Sequence, residues 1–470
     1  MPTGNRVNMS NNFLRFEAGT IVLDLENAED FPLGLIGIFK HDPRSGNFRA
    51  RACDYAHTVR ILQKSGFDFH DQVRNYVPLP DLSIKSPLTP HLHQQKALEA
   101  WERAAFRGTI SLPTGAGKTI LAVMAIARLR RPALVLVPTI DLLTQWCSVL
   151  ERFFKVPIGM LGGGSHNILP ITVSTYDSAV LQMEFIGNRF ALLVADECHH
   201  LPGPGYQLAA AMSIAPFRLG LSATMEMDSE RTATLKELMG ENIFSVAIDE
   251  LEGKILSPYL VKRLFVELTP AETARYRECR NIYTGFLRRY GISMASVDGW
   301  RNFLIGCARF PGGKEAFAAF LEQRRIARAG TSKLQLLNTI FQQHPGERIL
   351  IFTADNDSAY AIGRHFTLPV ITHHTKSAER KAFLDSFRNG EYPILVTSKV
   401  LNEGVDVPSA AVGVVFSGSG SVREHVQRLG RVLRPAPGKV QAVLYELVSA
   451  GTSEEYTSGR RREHRAYRRR

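Results

Sequence analysis

Residues 109–119 read TISLPTGAGKT, in which a short β-rich run passes through a glycine-containing turn into an apolar, helix-like stretch. In a strand, turn and helix of this kind, backbone N–H groups of the turn converge on phosphate at the positive end of the helix dipole. The pattern predicts a phosphate-binding loop, in which Lys118 reaches the β- and γ-phosphates and Thr119 holds Mg²⁺. Leu112 stands where the strict motif has glycine, so the prediction depends on the flanking strand and helix. The predicted nucleotide-binding residues are Thr114, Gly115, Ala116, Gly117, Lys118 and Thr119.

Alternating β-rich and helix-like stretches extend from this loop towards the C terminus. They include ALVLVP, ITVST, ALLVADE and FRLGLSAT, and the rhythm restarts with ERILIFTAD, PILVTS, AVGVVFS and VQAVLYELVS. Short strands separated by helices form parallel sheets that helices cover on both faces. The sequence therefore predicts an α/β fold with two doubly wound parallel-sheet domains, at residues 88–250 and 251–470.

Three segments depart from this alternation. Residues 270–345 have long helical patterns and no convincing strand, which predicts a helical insertion in the second domain. Strand-like runs, one helix-like run and a Pro-rich linker predict a small N-terminal α+β domain at residues 1–87. The basic C-terminal tail, residues 460–470, holds seven arginines and one glutamate. Such a tail either binds a polyanion such as nucleic acid or is a solvated chain end.

The composition argues against several protein classes. The longest apolar runs, such as ALVLV at 133–137, are too short to span a bilayer. The five cysteines form no CxxC pair, so they indicate neither a disulfide framework nor a metal cluster. The formal net charge is +12, which favours an anionic partner. We therefore expect a cytoplasmic protein that does not associate with membranes.

A second chemical signal is DECHH at residues 196–200, directly after the β-rich run ALLVA. Successive residues of a strand point to opposite faces, so this run is a poor set of ligands for one zinc ion. The carboxyl end of a strand is instead where an enzyme with a phosphate-binding loop places its second acid. We predict that Asp196 holds Mg²⁺, that Glu197 polarises the attacking water, and that His199 lies near the γ-phosphate.

An arginine-rich stretch, EHVQRLGRVLRP, occupies residues 424–435. If it is helical, Gln427, Arg431 and Arg434 share one face. Arginine pairs with phosphate oxygens through its fixed fork and stabilises transition-state charge. We predict that these three residues act on the nucleotide.

In this order, LPTGAGKT, VPTIDLLTQW, VSTYDS, DECHHLPG, GLSAT, VTSKVLNEGVDVP and QRLGRVLRP resemble the motifs of superfamily 2 helicases of the DExH type. The individual residues within these motifs are similar to those of the XPB branch in its archaeal and bacterial form. The resemblance covers about residues 88–460 and is loose over 12–87. It implies an ATP- and Mg²⁺-dependent DNA helicase or translocase of 3′ to 5′ polarity, built on two RecA-like domains and acting in DNA repair or related processing.

The resemblance also implies roles for individual residues and segments. Residues 12–80 correspond to a damage-recognition-like domain, and the insertion at 270–345 corresponds to a helical thumb. The two Walker motifs supply Lys118 with Thr119 and Asp196 with Glu197. The other matched residues are Gln94, which reads adenine; Thr139, Gln145, Ser174 and Thr175, which contact nucleic acid; Ser222 and Thr224, which couple hydrolysis to movement; Gly404 and Asp406 of motif V; and Gln427, Arg431 and Arg434, which reach ATP from the other domain.

One departure from the family concerns strand opening. XPB relatives have Arg-Glu-Asp shortly after the GLSAT motif, whereas this chain has Met227, Asp228 and Ser229. Unwinding is therefore less strongly implied than ATP hydrolysis. The alternatives are a motor subunit that remodels DNA for a nuclease or repair partner, and an RNA helicase, because the 2′-OH contacts that distinguish RNA have no sequence signature.

Overall fold

The computed structural model describes residues 11–85, 87–223, 225, 227–251, 257–296, 298–398, 410–418 and 441–461. The chain divides into two compact units, Met1–Val246 and Ala247–Arg470. The first unit contains both the small N-terminal domain and the first parallel sheet. None of the helices in the described ranges is long and apolar enough to cross a membrane.

The N-terminal domain is a five-stranded sheet packed against one helix. Its elements are β1 (Phe13–Glu17), β2 (Thr20–Asp24), β3 (Lys40–Asp42), β4 (Asn47–Arg51), α1 (Tyr55–Lys64) and β5 (His70–Gln72). The strand order is β3-β4-β2-β1-β5, in which only the β1/β5 pair is parallel. Leu14 and Leu23 of the sheet pack with Leu62 of α1, and Ile214 of the following domain is buried in the same core. This shared packing joins the two domains of the first unit.

The first α/β domain contains one eight-stranded sheet. Its strands are β6 (Arg107–Ser111), β7 (Ala133–Val137), β8 (Gly159–Gly162), β9 (Ser165–Asn167), β10 (Ile171–Thr175), β11 (Leu192–Asp196), β12 (Phe217–Ser222) and β13 (Asn242–Ser245). Its helices are α2 (Leu92–Arg103), α3 (Lys118–Leu129), α4 (Ile140–Phe153), α5 (Tyr176–Ile186), α6 (Gln207–Ala211) and α7 (Ser229–Met239). The order is β13-β6-β12-β11-β7-β10-β8-β9, and every pair except β8/β9 is parallel. Every residue of β7, β10 and β11 is buried, as expected for central parallel strands covered on both faces.

The second unit contains a six-stranded, wholly parallel sheet. Its strands are β14 (Tyr259–Val266), β15 (Ile349–Phe352), β16 (Val370–Ile371), β17 (Ile394–Thr397), β18 (Val412–Val415) and β19 (Ala442–Ser449), in the order β14-β19-β18-β15-β17-β16. Its described helices are α8 (Ile248–Leu251), α9 (Pro270–Arg289), α10 (Gly299–Arg309), α11 (Gly313–Ala329), α12 (Thr331–Gln343), α13 (Asn356–Phe366), α14 (Ser377–Asn389) and α15 (Ser453–Arg461).

Helices α9 to α12 fill the segment predicted to be a helical insertion. Thr269 and Glu272 form a reciprocal capping box at the start of α9, and Pro270 occupies the first turn, where its missing N–H leaves no bond unmade. Phe286, Phe303 and Phe320 pack together where α9, α10 and α11 meet. Helices α9, α10 and α11 are therefore held together by an aromatic core of their own.

The predicted fold class is confirmed, because the six-stranded sheet is wholly parallel and the eight-stranded sheet is parallel except for β8/β9, with helices between most successive strands. In the two α/β sheets, five strands were not predicted from the sequence: β8, β9, β13, β14 and β16, of which all but β8 are sheet edges. In β13 the four residues NIFS are all at least partly exposed, and in β14 charged residues interrupt the apolar run. Edge strands have fewer neighbours to bury them, so their sequences carry a weaker apolar signal.

Candidate nucleotide-binding site

The predicted phosphate-binding loop lies between the end of β6 at Ser111 and the start of α3 at Lys118. Gly115 and Gly117 adopt left-handed backbone angles, with φ of 88° and 81°. A Cβ at residue 117 would overlap the side-chain nitrogen of Gln94. The turn therefore requires glycine here both for its backbone angle and for its close packing.

Helix α2 supports the loop from behind. His93 Nε2 lies 2.8 Å from the Ala116 carbonyl oxygen, and Gln94 Nε2 donates to the carbonyls of Ala116 and Gly117 at 3.3 and 3.2 Å. A carbonyl only accepts, so Nε2 carries the His93 proton. Burial lowers the pKa of His93, which keeps the ring neutral. Gln94 Oε1 accepts from the backbone N–H of His91 at 2.8 Å.

Gln94 thus has a role in this structure that the sequence did not predict. Its side chain is 2% exposed, and its amide nitrogen and oxygen both bond to backbone. These bonds fix the position of the phosphate-binding loop. Recognition of adenine by Gln94 stays a prediction.

Lys118, Asp196 and Glu197 meet at the carboxyl ends of β6 and β11. Lys118 Nζ donates to Glu197 Oε1 at 3.2 Å, and both side chains are nearly nine-tenths buried. Glu197 has a φ of 45°, an uncommon angle for a residue with a side chain and one that concentrates at functional sites. The residues that the sequence assigned to the two Walker motifs are therefore neighbours.

Three donors fix Asp196. Trp146 Nε1 donates to its Oδ2 at 2.8 Å, and the backbone N–H of Glu197 donates to its Oδ1 at 3.0 Å. The Tyr176 hydroxyl donates to the Asp196 carbonyl oxygen at 2.9 Å. Trp146 and Tyr176 were not predicted as site residues. The only indication of Trp146 in the sequence was its place at the end of the VPTIDLLTQW segment.

Burial and the neighbouring Glu197 charge raise the pKa of Asp196 to about 6, while Lys118 and the Trp146 hydrogen bond lower it. Two adjacent carboxylates in a dry site favour a cation, because each makes ionisation of the other more costly. The Thr114 hydroxyl is also buried, with no hydrogen-bond partner in the described part of the chain. The residues present therefore fit a phosphate group together with Mg²⁺.

A polar contact continues from Glu197 to the next strand. His199 Nδ1 lies 2.9 Å from Ser222 Oγ and 3.5 Å from Glu197 Oε2, and His199 is 1% exposed. Ser222 is the last residue of β12. The structure thus joins the DECHH segment to the GLSAT segment through one buried histidine.

The Met227–Asp228–Ser229 segment begins helix α7. Asp228 is its N-cap, because Asp228 Oδ1 accepts from the Arg231 backbone N–H at 2.8 Å. Arg231 in turn donates to the His199 carbonyl at 3.4 Å. The residues that replace the family's Arg-Glu-Asp therefore have a structural role at a helix start.

The residues predicted to contact nucleic acid lie mostly at helix starts. Thr139 and Thr175 are the N-caps of α4 and α5, where their hydroxyls accept from Leu142 and Ser178 backbone N–H groups. Ser174 is fully buried and donates to the Thr175 carbonyl, and Gln145 is half-buried on α4. Of the other predicted residues, Thr119 is half-buried in the first turn of α3.

Several predicted residues lie outside the described residues. They are Thr224, Gly404, Asp406, Gln427, Arg431, Arg434 and positions 462–470 of the basic tail. Their roles stay predictions.

Three family models match parts of the chain. They are the Xeroderma pigmentosum group B helicase damage recognition domain at residues 14–73, the res subunit of type III restriction enzymes at 87–227, and the helicase conserved C-terminal domain at 332–436. The Pyrococcus furiosus Hef helicase domain, a crystal structure, superposes with a TM-score of 0.51 at 18% identity over 79% of this chain and 98% of that one. It supports the fold alone.

Among curated proteins, a DNA 3′-5′ translocase XPB2 of Sulfurisphaera tokodaii is 37% identical over 88% of this chain and 94% of its own. A DNA 3′-5′ helicase XPB of Mycobacterium tuberculosis is 30% identical over 76% of this chain and 60% of its own length. An Arabidopsis thaliana relative, named a helicase/translocase subunit XPB1 of general transcription and DNA repair factor IIH, is 24% identical over 90% of this chain and 55% of its own. The chain thus spans little more than half of the two longer relatives.

Proposed function

The chain belongs to the XPB family of superfamily 2 helicases, and from this premise we propose that it is an ATP-dependent DNA translocase or helicase of 3′ to 5′ polarity. The observation that carries the proposal is the buried cluster of Lys118, Glu197 and Asp196, held by the backbone of the phosphate-binding loop and by Trp146. Such a cluster serves phosphoryl transfer, in which positioning and charge stabilisation supply most of the catalysis.

In the proposed mechanism, backbone N–H groups of the loop and Lys118 hold the phosphates of ATP, and Thr119 and Asp196 hold Mg²⁺. Mg²⁺ held by Thr119 and Asp196 would supply positive charge to offset that of the β- and γ-phosphates. Lys118 Nζ is within 3.2 Å of Glu197, so its ammonium can turn to a phosphate oxygen and leave the Glu197 carboxylate to accept a proton from the attacking water. The pKa of Asp196 falls when a cation is bound, so Asp196 stays ionised at neutral pH.

Hydrolysis would be signalled through His199. A change at Glu197 reaches Ser222 through the buried imidazole, whose Nδ1 is near both side chains. Because Ser222 ends β12, the segment that follows can respond to the state of the nucleotide. We propose this contact as the route by which hydrolysis is coupled to movement on DNA.

The proposal is tested by the rate of ATP hydrolysis with no nucleic acid, with single-stranded DNA, with duplex DNA and with RNA. We expect DNA to raise the rate and Lys118→Ala to abolish it, since the loop would lose its only side-chain cation. Stimulation by RNA but not DNA would contradict the proposal and favour the RNA helicase. A rate that is independent of every nucleic acid would refute both.

A second candidate is a motor subunit for a nuclease or repair partner. The specific observation is that Asp228 caps α7, in the place where the family's strand-opening residues occur. The Arabidopsis relative is also named as a subunit of a larger factor. Strong unwinding by the purified chain would exclude this candidate, and unwinding only after a partner is added would support it. A cytoplasmic location stays a prediction from the sequence.

A further inference from the structure

A separate cavity of about 440 Å³ lies in the second unit, remote in sequence from the phosphate-binding loop. One side is formed by Ala354 and Gly418, which follow β15 and β18, and the other sides by α9, α11 and α15. On one side of β15 lie β17 and then β16, and the chain passes through these two strands before it crosses to β18 on the opposite side of β15. Doubly wound sheets bind ligands at such a reversal, outside the carboxyl ends of the strands.

The charge that lines this cavity is positive. Of its two nearest acids, Asp355 pairs with Arg328 at 2.7 Å and Glu454 pairs with the buried Lys333. Arg324 has neither a hydrogen bond nor an ion pair within the described residues, and burial, with a smaller contribution from the nearby Arg328 charge, lowers its pKa. An anion would relieve this repulsion between cations.

Arg280 adds a second cation from the facing helix. The only hydrogen bond of its guanidinium in the described ranges is a long one, 3.4 Å, to the hydroxyl of Tyr276. Arg280 of α9 and Arg324 of α11 both line the cavity. Two guanidinium groups that face one space suit phosphate, whose oxygens match the arginine fork.

Gln323 is a second and independent sign of a ligand. It lines the cavity and is only 6% exposed, yet its amide makes no hydrogen bond with any described residue. The amide has two donors and an acceptor available for a polar ligand.

Aromatic side chains complete the lining. Tyr283 and Phe320 lie 5.1 Å apart between ring centroids, and the Arg324 guanidinium lies 5.2 Å from the Phe320 ring. A nucleobase stacks on an aromatic face without regard to sequence. The volume is within the range of about 300–1,000 Å³ that is usual for small-ligand sites.

We propose that this cavity binds a phosphorylated nucleoside, with its phosphate between Arg280 and Arg324 and its base against Tyr283. The Gln323 amide bonds the polar edge of the base or the sugar. The nucleoside phosphate is either a free nucleotide or one unit of a DNA strand. All of the lining residues belong to the second unit, whereas the phosphate-binding loop belongs to the first.

The test compares binding of dTMP and of a single-stranded oligo-dT to the full chain and to its Arg324→Gln variant. The monophosphate lacks the β- and γ-phosphates that Lys118 would hold, so it reports on the new site. Loss of one charged hydrogen-bonding partner is expected to weaken binding about tenfold. Arg325→Gln is the matched control, because Arg325 is the next residue on α11, is exposed, pairs with Glu322 and does not line the cavity.

A second variant separates binding from folding. Gln323→Met keeps the size of the side chain and removes an amide that has no hydrogen-bond partner among the described residues, so we expect an unchanged or raised melting temperature together with weaker binding. Loss of dTMP affinity in both variants identifies a free-nucleotide site, and loss for oligo-dT alone identifies a site for a strand. Equal affinity of wild type and Arg324→Gln for both ligands would overturn the proposal, as would an equal loss in Arg325→Gln. Arg324-dependent binding in a protein whose ATP hydrolysis ignores DNA would uphold this site and refute the proposed function.

Discussion

Replacing Trp146 with phenylalanine tests whether a buried indole orients Asp196, the aspartate proposed to bind Mg²⁺. Trp146 Nε1 donates a 2.8 Å hydrogen bond to Asp196 Oδ2, and the two residues are 1% and 5% exposed. Phenylalanine retains most of the apolar surface and has no donor. The carboxylate oxygen then loses the bond that orients it.

The size of the effect follows from the charge of the acceptor. A hydrogen bond to a charged group contributes about 1.5–3 kcal/mol, and about 1.4 kcal/mol corresponds to a factor of ten. We therefore expect the Mg²⁺ concentration that half-activates ATP hydrolysis to rise between about tenfold and a hundredfold. The Trp146 bond also lowers the pKa of Asp196, which burial and the Glu197 charge raise to about 6. Its loss raises that pKa further, so the acid limb of the activity profile is expected to move to higher pH.

The assay is ATP hydrolysis titrated with Mg²⁺, with Trp101→Phe as the matched control. Trp101 is fully buried in the same unit, and its Nε1 donates a 2.8 Å hydrogen bond to the Arg218 carbonyl oxygen. The chemical change is identical, and both variants are expected to unfold more readily. Only Trp146→Phe is expected to need more Mg²⁺. A wild-type Mg²⁺ requirement in Trp146→Phe, or an equal rise in both variants, would refute the reasoning.

Three further predictions follow from buried contacts. Gly117→Ala is expected to abolish ATP binding, measured by titration with a fluorescent ATP analogue, because the new Cβ overlaps a side chain of α2; Gly164→Ala has a similar positive φ and open space, so wild-type binding is expected there. Arg218→Met is expected to lower the free energy of unfolding in urea by at least about 3 kcal/mol, because each of four backbone carbonyls would lose a hydrogen bond that Arg218 donates; a smaller loss would contradict this. Ser222→Ala removes the hydrogen bond to His199 and is expected to reduce DNA stimulation of ATP hydrolysis more than the rate without DNA; an equal reduction of both rates would contradict the coupling role.

The proximity of the candidate site residues could be predicted in part because they lie in short contiguous segments, and their roles in ATP hydrolysis stay predictions. A strand that ends at Asp196 and a turn that ends at Lys118 each place their side chains at the carboxyl edge of the same sheet. The sequence indicated that Lys118, Asp196 and Glu197 would meet, and they do. It did not indicate that Gln94 would use its amide to hold the loop, because that bond depends on how α2 packs behind α3.

The amino-acid sequence by itself determined the two largely parallel sheets and which segments form the candidate nucleotide site, because apolar strand runs, glycine turns and acidic strand ends are local properties of the chain. Only the tertiary structure decided which distant side chains complete each site. Trp146 reaches Asp196 across 50 residues, and Arg280 and Arg324 face one cavity from separate helices. Contacts of this kind depend on helix packing and strand order, which set the direction and distance between the two side chains. The spacing of residues in the sequence does not predict them.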